Sequence, residues 1–171
     1  SRVNRASIHA VEFINEPNLV GLGSLPQGYR AIDYARDFKT FHAFARREIP
    51  EALILGHSAS GRGGEMPAEE IAREAAGLAD VVSYHFYGAL SERCVEYGNQ
   101  TSRDAALSEA WLSRTVDDFG WYAGLRDRFD PGKPVWLTET AQAACGGDRW
   151  ASTFRDSFRF TDQLGRLAQS G

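Results

Sequence analysis

Apolar side chains crowd four short runs of the chain and recur at intervals of three and four between them. Ile8, Val11, Phe13 and Ile14 fall within seven residues, dense enough for a buried strand. From residue 29 to 47 the apolar positions are Ile32, Ala35, Phe38, Phe41, Phe44 and Ala45. That spacing predicts an amphipathic helix, and Pro50 closes it. Residues 52–56 are a continuous apolar run, the mark of a strand buried on both faces, and residues 57–64 follow as a Gly/Ser loop. Pro67 opens a second helix reaching about residue 78, with Glu69 and Glu70 suited to its positive end. Residues 80–87 predict a third strand, stopped by Gly88, and residues 90–103 a long polar loop. Leu107, Trp111, Leu112, Val116, Phe119 and Trp121 predict one helix over residues 105–129. The turn residues of 130–134 lead into a fourth strand at 135–138. A small-residue stretch at 143–147 precedes a final helix over 150–168.

Strand and helix therefore alternate four times, which implies a parallel sheet with right-handed crossovers. No Gly-x-Gly-x-x-Gly follows any strand, so dinucleotide binding has no support. The informative polar residues cluster after the strands: Asn15-Glu16, His57-Ser58, His85 and Tyr87, and Glu139. Repeated βα units with that bias suit a (β/α)8 TIM barrel. Four units make half of one, so residues 1–171 read as a single partial barrel domain, a fragment covering strands 4–7 and their helices.

Composition narrows the chemistry. At 171 residues, with 43% hydrophobic and 25% charged residues, the chain can bury a core of ordinary size. Its net charge is -4 and it has no basic block, which argues against nucleic-acid binding. No apolar run is long enough to span a bilayer. No charged-then-apolar leader opens the chain, so no targeting segment is expected, and an extracellular or periplasmic location stays open. Cys94 and Cys145 lie in separate loops, where a disulfide and two free thiols are equally consistent. Asn99-Gln100-Thr101 is a glycosylation sequon in a secretory setting.

Two strand-end carboxylates, Glu16 and Glu139, carry the catalytic expectation. They lie three βα units apart, on a face where barrels build their sites. Retaining glycoside hydrolysis needs one carboxyl group as proton donor and one as nucleophile, about 5–5.5 Å apart. The donor must keep its proton through desolvation or a nearby anion, and the nucleophile must stay ionised through hydrogen-bond donors. By position, Asn15 would hold a sugar hydroxyl and Tyr87 would donate to Glu139. The chemistry needs carboxylates and water, with no metal and no organic cofactor, and the expected partner is a saccharide substrate.

The stretches Phe13-Ile14-Asn15-Glu16-Pro17-Asn18, Val82-Ser83-Tyr84-His85-Phe86-Tyr87 and Pro131-Gly132-Lys133-Pro134-Val135-Trp136-Leu137-Thr138-Glu139-Thr140 together resemble the retaining glycosidases with glutamates at strands four and seven. Within that clan the chain looks most like glycoside hydrolase family 79, the heparanase and β-glucuronidase family. The resemblance implies Glu16 as acid/base, Glu139 as nucleophile, Asn15 on the sugar 2-hydroxyl and Tyr87 beside the nucleophile. It also implies that backbone amides at Gly146 and Gly147 help hold a uronate carboxylate, and Asn18 and His85 are further candidate substrate contacts. Ala144 and Cys145 depart from the family's pattern just before those glycines. A glucuronic-acid-containing saccharide is the implied substrate. The rival readings are a neutral β-glucan or xylan/xyloside hydrolase of the same clan, and a non-catalytic carbohydrate-binding barrel fragment.

Other residues have equally plain explanations. His85 suits a cleft or a structural hydrogen bond, and His57 suits the latter better. His9 and His42 need no function, and Arg62 reads as an exposed loop arginine. Tyr84 and Trp150 suit sugar stacking or core packing, and Trp136 core packing. Two open edges of a half-barrel sheet would favour self-association.

Overall fold

The computed structural model describes residues 7–23, 25–97 and 102–171. The sequon at Asn99–Thr101 lies outside them. Four strands and five α-helices follow in the order β1 (Ala10–Glu12), α1 (Ala31–Glu48), β2 (Leu53–Ser60), α2 (Ala68–Glu74), β3 (Val81–Tyr87), α3 (Glu109–Leu112), α4 (Arg114–Phe129), β4 (Val135–Ala141) and α5 (Phe154–Ser170). The sheet order is β1-β2-β3-β4. Ala10 pairs with Leu53 and Leu55 with Val81, both in parallel registers. This is the parallel α/β half-barrel expected from the alternation. No described helix is long and apolar enough to cross a membrane.

Two compact units make up the chain, Ser1–His85 with Tyr122–Thr138, and Phe86–Trp121 with Glu139–Gly171. In the first, the buried face of α1 puts Tyr34 and Phe38 against Phe13, with ring centroids 5.8 Å apart in each case. Ile54, Ile71 and Ala75, all at 0% exposure, complete this core. Asp33 accepts from the Arg30 amide and so caps the start of α1. Gly56 is needed by close approach: a Cβ there would lie 3.0 Å from the Phe38 ring. Two carboxylates, the half-buried Asp80 and the buried Asp130, tie loops to the sheet. Asp80 accepts from Arg46 and from the Ile54 amide, and Asp130 accepts from Lys133 and from the Gly77 amide.

In the second unit, Trp111 and Trp150 meet edge-on at 6.4 Å, with Ala89 and Ala106 around them. A Cβ on Gly88 would fall 2.5 Å from the Trp111 ring, so only glycine fits. Gln163 of α5 donates to Thr115 of α4 and Thr140 of β4. Phe154, Phe158 and Leu164 leave one face of α5 exposed and apolar.

Several elements differ from the sequence expectation, α2 ending at Glu74 and α5 beginning at Phe154 among them. β1 stops at Glu12, because the chain bends through residues 13–18 and Pro17 cannot donate to a ladder. β2 continues through His57 and Ser58 to Ser60, where a Gly/Ser loop is predicted. Its polar residues are buried with partners from distant elements, which composition alone does not show. The single helix over 105–129 is a 3-10 turn followed by α3 and α4, parted at Ser113. β4 is only partly buried, with Thr138 and Glu139 exposed, as suits the last strand of a sheet.

Candidate active site

Glu16 sits in the bend that follows β1, with a left-handed backbone at φ 45°. For a residue with a Cβ that conformation is sparsely populated and must be held by its surroundings. The Glu16 amide donates to the Ser58 carbonyl at 3.1 Å. Its carboxylate Oε1 lies 3.0 Å from Nδ1 of His85, itself 1% exposed. The hydrogen bond from His85 holds the Glu16 carboxyl below its ordinary value; burial opposes this, and the Ser60 hydroxyl reinforces it. The expectation of a donor that keeps its proton is therefore not met by these neighbours. They favour the carboxylate.

Beyond Glu16 the chain is anchored through Pro17 and Asn18. Asn18 is 0% exposed, and its amide donates to the Ser60 and Gly63 carbonyls at 2.7 and 2.9 Å. Its side-chain oxygen accepts from the Ser60 amide at 2.9 Å. The implied substrate contact at Asn18 is corrected on this ground: no polar atom of its amide is left over for a sugar. It fastens the Glu16 bend to the end of β2. Asn15, by contrast, is exposed beside Glu16.

In the second unit, Glu139 stands exposed on β4, and the Tyr87 hydroxyl donates to its Oε1. This is the contact expected from strand-end position. Past β4, Gly146 and Gly147 adopt φ 79° and 76°, values that favour glycine. Cys145 just before them is bonded to Cys94. Ser91 donates to the Cys145 carbonyl at 3.0 Å, so two loops are joined both covalently and by hydrogen bond. Tyr87, Thr140, Gly146, Gly147, Asp156 and Arg159 line a depression of about 540 Å³. Arg159 is 5% exposed, and its guanidinium donates to Asp156 at 2.8 Å and to Gln163 at 3.0 Å.

The remaining candidates are structural. His57 is 4% exposed, edge-on to the Tyr34 and Phe38 rings at 6.3 Å and 3.9 Å from Asp130. Tyr84 is buried and stacked on Tyr122 at 4.6 Å. Trp150 is buried against Trp111. Ser60, which acts on the Glu16 carboxyl, escapes sequence reasoning. Its only signal is its place at the last position of β2, a position the predicted strand boundary does not reach.

No protein-family model matches the chain, and no curated protein matches it. Solved structures do. A Paenibacillus polymyxa xyloglucanase from glycoside hydrolase family 44 superposes with TM-score 0.65 at 15% identity, over 95% of this chain and 40% of that one. A family 44 endoglucanase from Clostridium thermocellum gives 0.65 at 14% identity, over 98% and 42%. A monomeric β-xylosidase from Caulobacter crescentus CB15 gives 0.58 at 19% identity, over 91% and 30%. The fold is thus that of TIM-barrel glycosidase domains, and the chain spans about 40% of the length of the first of these. Family 79 is not shown.

Proposed function

We propose that the chain carries the catalytic carboxylates of a retaining glycoside hydrolase, with Glu139 as nucleophile and Glu16 as acid/base. The observation that supports this reading is the pair of strand-end contacts, His85 on Glu16 and Tyr87 on Glu139. His85 and Tyr87 are two residues apart in one extended strand, and side chains at that spacing point to the same face.

Glu139 attacks the anomeric carbon while the glycosidic oxygen leaves with the proton of Glu16. The resulting glycosyl ester is opened by a water that gives its proton to Glu16. Tyr87 orients Glu139, because its hydroxyl donates to that carboxylate. Asn15, exposed beside Glu16, binds the sugar hydroxyl next to the reacting carbon in this reading. The pull of His85 and Ser60 suits Glu16 to the second step, where it is a base. For the first step a bound sugar must desolvate it, which favours the protonated form.

The substrate class we favour is a neutral β-linked glucan, xyloglucan or xylan. The similar solved proteins are a xyloglucanase, an endoglucanase and a β-xylosidase. Glucuronide specificity finds no support in these neighbours. A panel of aryl glycosides on the full-length protein tests the reading. Turnover of glucosides, cellobiosides or xylosides, lost in Glu139→Ala and restored by azide with an inverted glycosyl azide product, is the expected result. Turnover unaffected by Glu139→Ala would remove the nucleophile, and binding without turnover would favour a carbohydrate-binding domain.

A further inference from the structure

Ser58 stands out in the first unit. It is 1% exposed, it has a left-handed backbone at φ 55°, and the β2–β3 register shifts where it lies, between His57 and Ala59. One extra residue in one strand of a pair is a bulge, a feature that re-aims backbone groups at the point of insertion. Here the Ser58 carbonyl receives the Glu16 amide at 3.1 Å. The Ser58 hydroxyl meets the hydroxyl of Ser83 at 3.0 Å, and Ser83 is also 1% exposed. Two positions further along β3, on the same face, His85 reaches the Glu16 carboxylate. Ser60, two positions beyond Ser58, meets the same carboxylate from β2. A closed circuit therefore runs from the Glu16 amide through Ser58 and Ser83 to His85 and back to the Glu16 carboxylate.

We propose that Ser58 and Ser83 are positioning residues whose buried hydroxyl contact fixes the β2 bulge and thereby orients both the backbone and the carboxylate of Glu16. The assignment rests on Glu16 being the acid/base. The physical need is clear: two left-handed residues, Glu16 and Ser58, face each other across a single backbone hydrogen bond. Both conformations are uphill for residues with a Cβ and relax unless the surroundings hold them. The hydroxyl pair ties the bulged residue of β2 to a defined residue of β3.

Ser58→Gly removes the hydroxyl yet keeps a residue at ease with positive φ, and Ser83→Ala removes the partner. In the full-length enzyme each is expected to lower kcat by about 10- to 100-fold with KM little changed. The double variant should be no worse than either single one, since both break one contact. Ser83→Thr, which keeps a hydroxyl on a strand, should recover most of the rate. A carbon-13 titration of the Glu16 carboxyl provides a readout independent of turnover. With Glu16 slackened from His85 and Ser60, its midpoint should rise in Ser58→Gly and in Ser83→Ala alike. His85 is a titratable group in direct contact with that carboxyl, so its imidazole must be followed in the same spectra. Wild-type kcat and an unmoved Glu16 midpoint in both variants would overturn the proposal. If Glu16→Gln turns over substrate like the wild type, the acid/base reading fails instead, and the midpoint alone decides the positioning role.

Discussion

Glu16 is held by a histidine that disfavours the protonated form its proposed first task requires. The direction of the effect gives a testable sign. His85 lowers the Glu16 carboxyl by hydrogen bond, so removing the imidazole must raise it. A general acid works while protonated, and the basic limb of kcat/KM against pH marks its loss of that proton. In His85→Ala the limb is expected to move to higher pH, while Ser60 and burial continue to act in their opposite directions. A pH profile taken beside the wild type settles the matter, and a limb that stays or moves down removes His85 as the tuning group. Glu16, Tyr87 and Glu139 are legible in the sequence because each lies in or just beyond a plain apolar run: Glu16 past β1, Tyr87 at the end of β3 and Glu139 within β4. Ser60 and Asn18 are not legible in their roles. Each acts through a contact made across the β2 loop, over 42 residues in the case of Asn18 and the Ser60 backbone, and only the fold brings such positions together.

Asp130 does for whole elements what Ser58 does for one residue. It is 2% exposed at the end of α4, and it reaches the turn after α2, Lys133 before β4 and the neighbourhood of His57 in β2. Burial pushes its carboxyl up, and His57, Lys133 and the Gly77 amide more than offset this, so the net shift is downward. A carboxylate depressed in the folded state contributes stability that is complete above its unfolded value and is lost as pH falls through the folded one. Asp130→Ala should therefore cost about 2 kcal/mol near neutral pH, since it removes the shared acceptor of the Gly77 amide and the Lys133 ammonium. The gap in unfolding free energy from the wild type should narrow below about pH 4, near the ordinary aspartate value. Urea titrations at several pH values measure both quantities, and a gap independent of pH would show that the charge is immaterial. The same residue explains why residues 57–60 were not readable as strand. His57 and Ser58 look like loop chemistry until Asp130 and Ser83 lie beside them. The division of residues 105–129 at Ser113 is likewise invisible to periodicity, because the apolar spacing runs straight through it.

At the scale of the molecule, the four βα units and their parallel order follow from alternation alone, and similar solved structures share them at 14–19% identity. Agreement at so low an identity is natural for a fold set by pattern. Specificity lives in side chains, and there the family 79 resemblance and the solved neighbours part company. The Cys94–Cys145 bond joins two loops of the second unit and closes 51 positions of the chain. By chain entropy such a link is worth about 4 kcal/mol against the unfolded chain.

The division into units has a practical consequence for anyone cutting the gene. The chain passes between them after His85, after Trp121 and after Thr138, so neither unit is one continuous stretch. A piece ending at His85 would contain Glu16, Ser58 and His85 but lack Tyr122, which donates to the Ala59 carbonyl at 3.1 Å, and Asp130, which receives the Gly77 amide. Such a piece is expected to show no cooperative melting by circular dichroism. Adding residues 122–138 as a separate peptide should restore some of it, and a sharp transition in the first piece alone would mean that the missing segment is dispensable. Minimal versions of this half-barrel are therefore better sought by splicing across the second unit than by trimming from an end.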